Sequence, residues 1–358
     1  MSAPAHTAER ILITGGAGFI GANFTHFWAE RHAATTIFVA DKLTYAGNLQ
    51  SIQSLIEDGH VHFEHADIAD TERMTALLVG NNIDTIINFA AETHVDRSIH
   101  GPELFVQANV VGTASLLQAA SAAWGDDPAR GRFHHVSTDE VYGSLGVHEP
   151  AFTEMHPMRP NSPYAASKAS ADMMVRAYAQ TYGLNTTTTN CSNNYGPYQF
   201  PEKLIPLTLL NIINGKPLPI YGNGLQIRDW FHVHDHCRAI DLVLREGVAG
   251  ETYNVGGNAE RTNLELVHQL CAIVDAKRPE CAPADRLITH VEDRPGHDRR
   301  YAVNIDRISR ELDFQPEFEL ARGLAETVSW YLDNEAWWRT ILTGDYREWV
   351  RQQYGGKV

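Results

Sequence analysis

Two short stretches of the chain carry residues that could do chemistry. Thr138-Asp139-Glu140-Val141-Tyr142 sets two adjacent carboxyls directly after Phe133 to Ser137, a run that reads as a buried strand. Tyr164-Ala165-Ala166-Ser167-Lys168 sets a phenol and an ammonium four residues apart, hence on one face of a helix. A free tyrosine titrates near ~10. A lysine ammonium beside it, together with the positive charge of an oxidised hydride acceptor, favours the phenolate and should pull that value toward neutrality. Such a pair can take a hydroxyl proton while hydride leaves the same carbon. An enzyme that only moves a hydride does not need Asp139 and Glu140. One that oxidises a carbon, eliminates water next to it and then reduces the product needs one carboxyl protonated and one ionised. Tyrosine and lysine at this spacing also occur on ordinary helices, and adjacent carboxyls after a strand also make a solvated turn or a cap. The surrounding elements therefore decide their meaning.

The first half alternates apolar bursts with helical patterns. Arg10 to Thr14, Thr36 to Asp41, Val61 to Ala66, Asp84 to Ala90 and Phe133 to Ser137 read as strands. Phe19 to Arg31, Thr71 to Val79 and Pro102 to Trp124 read as helices. Strands alternating with helices imply a parallel sheet covered on both faces and wound in right-handed crossovers. A helix to about Tyr182 and a strand from Thr186 to Cys191 follow. Beyond Asn193 the pattern loosens, with short pieces at Phe231 to Val233, Asp235 to Arg245, Thr252 to Val255 and Leu264 to Ala276, and a helical tail from Ala321 to Trp349. The expected fold is a doubly wound, Rossmann-like α/β domain over residues 1–192, with some later segments rejoining its sheet. Residues 193–358 then form a smaller, mainly substrate-binding α/β portion.

Gly15, Gly18 and Gly21 follow the first strand and open a helix, which is the spacing that lets backbone approach a pyrophosphate at a helix N-terminus. Asp41 ends the second strand 20 residues after Gly21, as a ribose-binding carboxylate should. A carboxylate accepts from a 2′-hydroxyl and repels a 2′-phosphate, so NAD is favoured over NADP, with the neighbouring Lys42 a small counterweight. Asp67-Ile68 could hold the adenine, and Ala90-Ala91-Glu92-Thr93-His94 sits where the cofactor should cross the sheet edge.

With 358 residues, 43% of them hydrophobic, the chain can bury a sizeable core. A formal net charge of −15 argues against a nucleic-acid partner. Four scattered cysteines without a CxxC pair suit free thiols in a reducing compartment. The polar N-terminus lacks a signal core and no apolar run reaches membrane-spanning length, so a soluble cytoplasmic protein is expected. His232-Val233-His234-Asp235-His236 has spacing compatible with a metal, but no chemistry suggested here needs one and none is expected.

The chain resembles the extended short-chain dehydrogenase/reductase family and, within it, the nucleotide-sugar 4,6-dehydratases. The glycine motif and the Tyr164/Lys168 pair mark the superfamily. Narrower are Asp41 to Tyr45, Ala91 to Ser98, Thr138 to Gly143, Asn190 to Pro197, Ile227 to Trp230 and Asp293 to Asp298. The resemblance covers most of the chain. It implies NAD-dependent conversion of dTDP-glucose to its 4-keto-6-deoxy product. Tyr164 is then the base at the carbon 4 hydroxyl, with Lys168 its partner. Glu140 removes the carbon 5 proton, Asp139 protonates the departing carbon 6 hydroxyl, and Thr138 bonds the sugar or its oxyanion. It further implies cofactor contacts from Gly15, Gly18, Phe19, Ile20, Gly21, Asp41, Lys42, Leu43, Thr44, Asp67, Ile68, Ala90, Ala91, Thr93 and Asn194. Substrate contacts are implied for His94, Asn193, Lys203, Leu204, Pro219, Tyr221, Arg228, Asn263, Arg294 and His297, the two arginines on the diphosphate and Tyr221 against the base. For Lys203 and Asn263 a surface ion pair or helix cap is a competing reading. Ala108 departs from the family, which often has threonine before the residue that here is Asn109. A homodimer built on helices near residues 102–124 and 162–182 is also implied. A dehydratase of another nucleotide sugar, a nucleotide-sugar 4-epimerase and a catalytically silent NAD-binding protein are the competing functions. The carboxyl pair argues against the epimerase, and the intact catalytic set against the silent binder.

Overall fold

The computed structural model describes residues 5–125, 127 and 130–342. Its centre is a seven-stranded parallel sheet. The strands are β1 (Arg10–Thr14), β2 (Thr36–Asp41), β3 (Val61–His65), β4 (Thr85–Asn88), β5 (Arg132–Thr138), β6 (Thr186–Cys191) and β7 (Thr252–Val255), in the order β7-β6-β5-β4-β1-β2-β3. The order reverses beside β1, where β2 lies on one side and β4 on the other. Ligands of open α/β sheets bind at such a point, outside the carboxyl ends of the strands.

Side-chain alternation explains the three layers. Ile11, Ile13, Ile37, Val39 and Ile87 point to one face and pack with Phe24, Phe27 and Trp28 of α1 (Phe19–Arg31) and with Cys237, Ile240 and Leu244 of a helix at Val233–Glu246. Leu12, Phe38, Ala40, Ile86 and Phe133 point to the other, against Met74 and Leu77 of α2 (Thr71–Gly80), Leu116 and Leu117 of α3 (Gly112–Trp124) and Val175 of α4 (Pro163–Tyr182). Each such fully buried aliphatic side chain contributes about 1.5–3 kcal/mol. Ser162 caps α4 by accepting from the Ala165 N–H, Pro163 occupies its first turn, and Gly183 ends it in a left-handed conformation.

The helix expected unbroken over 102–124 is interrupted. Residues Val106–Val111 form a π-helical turn between Pro102–Phe105 and α3. Inside this wider turn Asn109 is held from outside the helix. Its side chain accepts from the Glu92 N–H at 2.8 Å and donates to the Glu92 carbonyl at 3.0 Å and to Ser167 Oγ at 2.8 Å. A helical pattern cannot report bonds to residues on other elements.

A smaller portion lies over the carboxyl edge of the sheet. It holds strands at Asn193–Tyr195, Ile227–His232 and Glu260–Thr262, a second pair at Leu218–Tyr221 and Ile288–Val291, and its own core around Leu209, Leu270, Leu324 and Trp338. The chain passes between the portions more than once, since β7 and the Val233–Glu246 helix belong to the main sheet layer. Two helices, Leu320–Asp333 and Glu335–Ile341, occupy most of the expected tail. Its last residues, 343–349, lie outside the described residues.

Candidate active site

A cleft of about 570 Å³ runs along the carboxyl ends of the strands. At one end the β1–α1 turn is built for close backbone approach. Gly15 has φ +69°, and a Cβ on it would sit 2.6 Å from the Ala90 nitrogen. A Cβ on Gly21 would sit 2.2 Å from the Gly15 carbonyl oxygen. No side chain caps the N-terminus of α1 and no acidic residue lies in its first turn, so its N–H groups and positive dipole end remain available for an anion. Phe19, Ile20, Lys42, Thr44, Ile68, Ala91 and Thr93 border the same cleft, with Gly18, Asp41, Asp67 and Ala90. This cradle fits a dinucleotide.

Asp41 is more committed than its spacing suggests. Its carboxylate accepts from the Ala17 N–H at 3.0 Å and the Leu43 N–H at 2.8 Å. Burial raises its pKa against the pull of those two donors. Leu43 itself serves that turn, at φ +53°, and does not border the cleft. Asp67 pairs with Lys42 at 2.6 Å. Burial pushes the Asp67 carboxyl up, but Lys42 and the Ala69 N–H hold it below its ordinary value.

At the reacting end, β5 delivers Thr138, Asp139 and Glu140, and α4 delivers Tyr164 and Lys168. Thr138, Glu140, Tyr164 and Lys168 border the cleft, with Thr138 acting to lower the Tyr164 pKa. Asp139 lies just behind, 1% exposed, with Oδ1 3.4 Å from Thr138 Oγ1 and Oδ2 without a hydrogen-bond partner among the described residues. The two carboxyls sit in different fields. Burial, then Glu140 and Asp229, push Asp139 well above the usual carboxylate range. Burial also raises Glu140, but Arg294, Arg228 and Lys203 oppose it. Asp139 is thus pushed further toward its protonated form than Glu140, whose three cationic neighbours oppose the rise.

The tyrosine departs from expectation. Burial, then the charge of Glu140 and Cys191, push the Tyr164 hydroxyl well above its ordinary value rather than toward neutrality. Lys168 Nζ donates to the Val136 carbonyl at 2.9 Å and sits 3.4 Å from His135 Nε2. The protein alone holds Tyr164 as a phenol.

The substrate-side residues gather around Asp96. Arg294 Nη1 donates to Asp96 Oδ1 at 2.9 Å and the Tyr221 hydroxyl donates to Oδ2 at 3.0 Å. His297, 6.0 Å from Tyr221 ring to ring, pairs with Asp293 at 2.6 Å, and burial followed by Arg294 drops its pKa to about 4. Arg228 is buried, stacks 4.3 Å over Tyr301 and bonds the Ile227 and Asp298 carbonyls. Lys203 Nζ donates to the Thr93 carbonyl at 2.9 Å. The Arg294 Nε and Asn193 Oδ1 atoms are buried and have no hydrogen-bond partner among the described residues, which suits a polar ligand. His94 caps the helix Val95–His100, lies 3.7 Å from Glu202, and burial then Lys203 drop its pKa to about 3. Asn194 borders the cleft and accepts from His236 Nδ1 at 2.9 Å.

Leu204 and Asn263 begin helices, and Pro219 lies in a strand of the smaller portion; none of the three borders the cleft. Glu202, Gln107 and Cys191 do border it, and their spacing carries no signal. Glu202 accepts from Tyr45 at 3.0 Å, and burial raises its pKa to about 7. Its place directly before Lys203 was the one available hint.

A doubly wound sheet with a glycine cradle at the first strand, and Tyr164 and Lys168 one turn apart at the cleft, define an extended short-chain dehydrogenase/reductase. Residues 12–327 match the family model described as GDP-mannose 4,6 dehydratase. The dTDP-glucose 4,6-dehydratase of Salmonella typhimurium is 50% identical over 97% of this chain and 99% of its own. That of Neisseria meningitidis serogroup B is 51% identical over 95% of this chain and 98% of its own. The solved structure of the dTDP-glucose 4,6-dehydratase DesIV from Streptomyces venezuelae, with NAD and TYD bound, superposes with a TM-score of 0.86 at 46% identity, covering 93% of this chain and 99% of that one. The chain belongs to the nucleotide-sugar 4,6-dehydratase family and takes its place among the dTDP-glucose 4,6-dehydratases.

Proposed function

We propose that this protein dehydrates dTDP-glucose to dTDP-4-keto-6-deoxyglucose with NAD as a retained cofactor. The observation that carries the reading is the divided environment of Asp139 and Glu140 beside Tyr164. The glycine cradle with Asp41, Asp67 and Lys168 would hold NAD, which when bound would supply the hydride acceptor for carbon 4 and the hydride donor for carbon 6.

With Lys168 and a bound cationic nicotinamide favouring its phenolate, Tyr164 would accept the carbon 4 hydroxyl proton, and Thr138, beside it, would hold the oxygen left behind. The resulting ketone acidifies the neighbouring carbon 5. Glu140, drawn toward its ionised form by Arg294, Arg228 and Lys203, removes that proton. Asp139, protonated by burial and by the charge of Glu140, gives its proton to the departing carbon 6 hydroxyl, which leaves as water. Glu140 then returns its proton to carbon 5. Arg294 and Arg228 take the diphosphate, and Tyr221 lies against the base.

The test is incubation with dTDP-glucose and mass analysis of the sugar nucleotide. Loss of one water without net consumption of added NAD supports the reading. An unchanged mass with dTDP-galactose appearing would replace it with an epimerase.

We further propose a homodimer. Leu104, Val106, Val111, Met173 and Tyr182 leave an exposed apolar surface along residues 102–111 and α4. Leu104→Asp should halve the mass in solution by light scattering, and an unchanged mass would refute that surface. The scattered free cysteines support cytoplasmic residence, and no described helix is long and apolar enough to cross a membrane.

A further inference from the structure

Beneath the cleft lies a buried ionisable group that the reaction above does not use. Asp172 follows Lys168 by one turn on α4 and is 6% exposed. His135 Nε2 lies 3.3 Å from its Oδ1, and neither carboxylate oxygen has another partner among the described residues. The same Nε2 lies 3.4 Å from Lys168 Nζ. One imidazole nitrogen thus faces both the acid and the lysine.

The far side of the ring decides which nitrogen carries the proton. His135 Nδ1 faces Asn88 Nδ2 at 3.3 Å. Asn88 is oriented by Thr14, whose hydroxyl donates to Asn88 Oδ1 at 2.7 Å. An amide nitrogen only donates, which makes Nδ1 the acceptor and places the proton on Nε2, the nitrogen 3.3 Å from Asp172 Oδ1; the Lys168 ammonium, itself donor-only, then faces that nitrogen without a hydrogen bond. Burial, then Lys168, push the His135 pKa down to about 4, so the ring stays neutral between an ammonium and a carboxylate. The Val136 carbonyl solvates the Lys168 ammonium but does not neutralise it. Burying either ion alone costs several kcal/mol, and an apolar trio would fill the same space. A charged set is explained if the charge is needed at the cleft.

We propose that Asp172, acting through the His135 imidazole, is a positioning residue that keeps Lys168 charged and in place beside Tyr164. This rests on the reading of Tyr164 and Lys168 as the proton-transfer pair. Burial lowers the Lys168 pKa and Asp172 raises it, so removing the carboxylate makes the ammonium lose its proton at lower pH. The other titratable groups around the lysine are Tyr164 one turn back, His135 on β5 and Cys191 on β6, and Tyr142 adjoins Asp172.

The test is Asp172→Asn in the NAD-loaded protein, with dTDP-6-deoxyglucose as substrate. That sugar has no carbon 6 hydroxyl to lose, so reduced cofactor reports the oxidation step alone. The pH profile of that step is measured beside the ¹⁵N signal of Lys168 Nζ, assigned by its loss in Lys168→Arg. Expected are an alkaline limb displaced to lower pH, a further rate loss of about tenfold at its alkaline end relative to neutral pH, an unchanged KM and an earlier Nζ titration. His135→Gln should move both readouts the same way, and it carries the test if Asp172→Asn does not fold. A uniform rate loss at every pH with an unmoved Nζ titration, in whichever variant folds, overturns the proposal. If wild-type protein reduces no cofactor with any dTDP-sugar while the Nζ titration moves, the proposed reaction falls and the lysine–histidine–aspartate arrangement stands.

Discussion

Replacing Glu140 by Gln separates the two halves of the proposed reaction. The substitution keeps the size of the side chain and removes its charge. A positioned general base contributes about 10²–10⁴-fold, so elimination should slow by that factor, or about 3–5 kcal/mol of barrier. The oxidation step should respond in the opposite sense. Among the charges around Tyr164, Glu140 is the strongest in raising its pKa, and the same is true for Asp139. Without that charge the phenol gives up its proton more readily, and hydride transfer should proceed at lower pH than in wild type. Oxidised sugar then accumulates on the enzyme with one reduced cofactor per site. Rapid mixing with dTDP-glucose and near-ultraviolet absorbance measures this directly. The arginines that flank Glu140 remain to hold the diphosphate, so substrate affinity should change little. A variant that turns over at near wild-type rate, or one that never reduces cofactor, would refute the reasoning.

Three further outcomes are expected. Tyr164→Phe should lower cofactor reduction by at least about 10²-fold with little loss of thermal stability; near-normal turnover would remove Tyr164 as the base. Gly21→Ala places a methyl 2.2 Å from the Gly15 carbonyl. It should cost about 1–3 kcal/mol and strip NAD from the purified protein, visible in the melting temperature and the cofactor content. Because Glu140 must be ionised and burial raises its pKa, turnover should fall with decreasing pH before the ordinary carboxylate range is reached. A kcat profile that stays flat down to about pH 4 would contradict this.

Much of the fold is legible in short-range pattern. Ile11 and Ile13 alternate with Leu12, and Ile37 and Val39 with Phe38, which is enough to expect strands covered on both faces. Gly15, Gly18 and Gly21 state the need for close backbone approach, and Tyr164 and Lys168 state a shared helical face. These signals are local because pleat, helical pitch and glycine's conformational freedom act over a few residues. The π-helical turn at 106–111 was not legible, since Asn109 takes its partners from Glu92 and Ser167 on other elements.

The chain by itself therefore determined the layered α/β plan, the dinucleotide cradle and the candidates for the reactive side chains. Tertiary structure alone decided their states. It set Asp139 against Glu140 by bringing Asp229 to one and Arg294, Arg228 and Lys203 to the other. It joined Arg294 and Tyr221 to Asp96 across more than a hundred residues, and set Lys168 Nζ against the Val136 carbonyl and His135. Protonation depends on burial and on charge separation in space, and neither quantity is a function of distance along the chain.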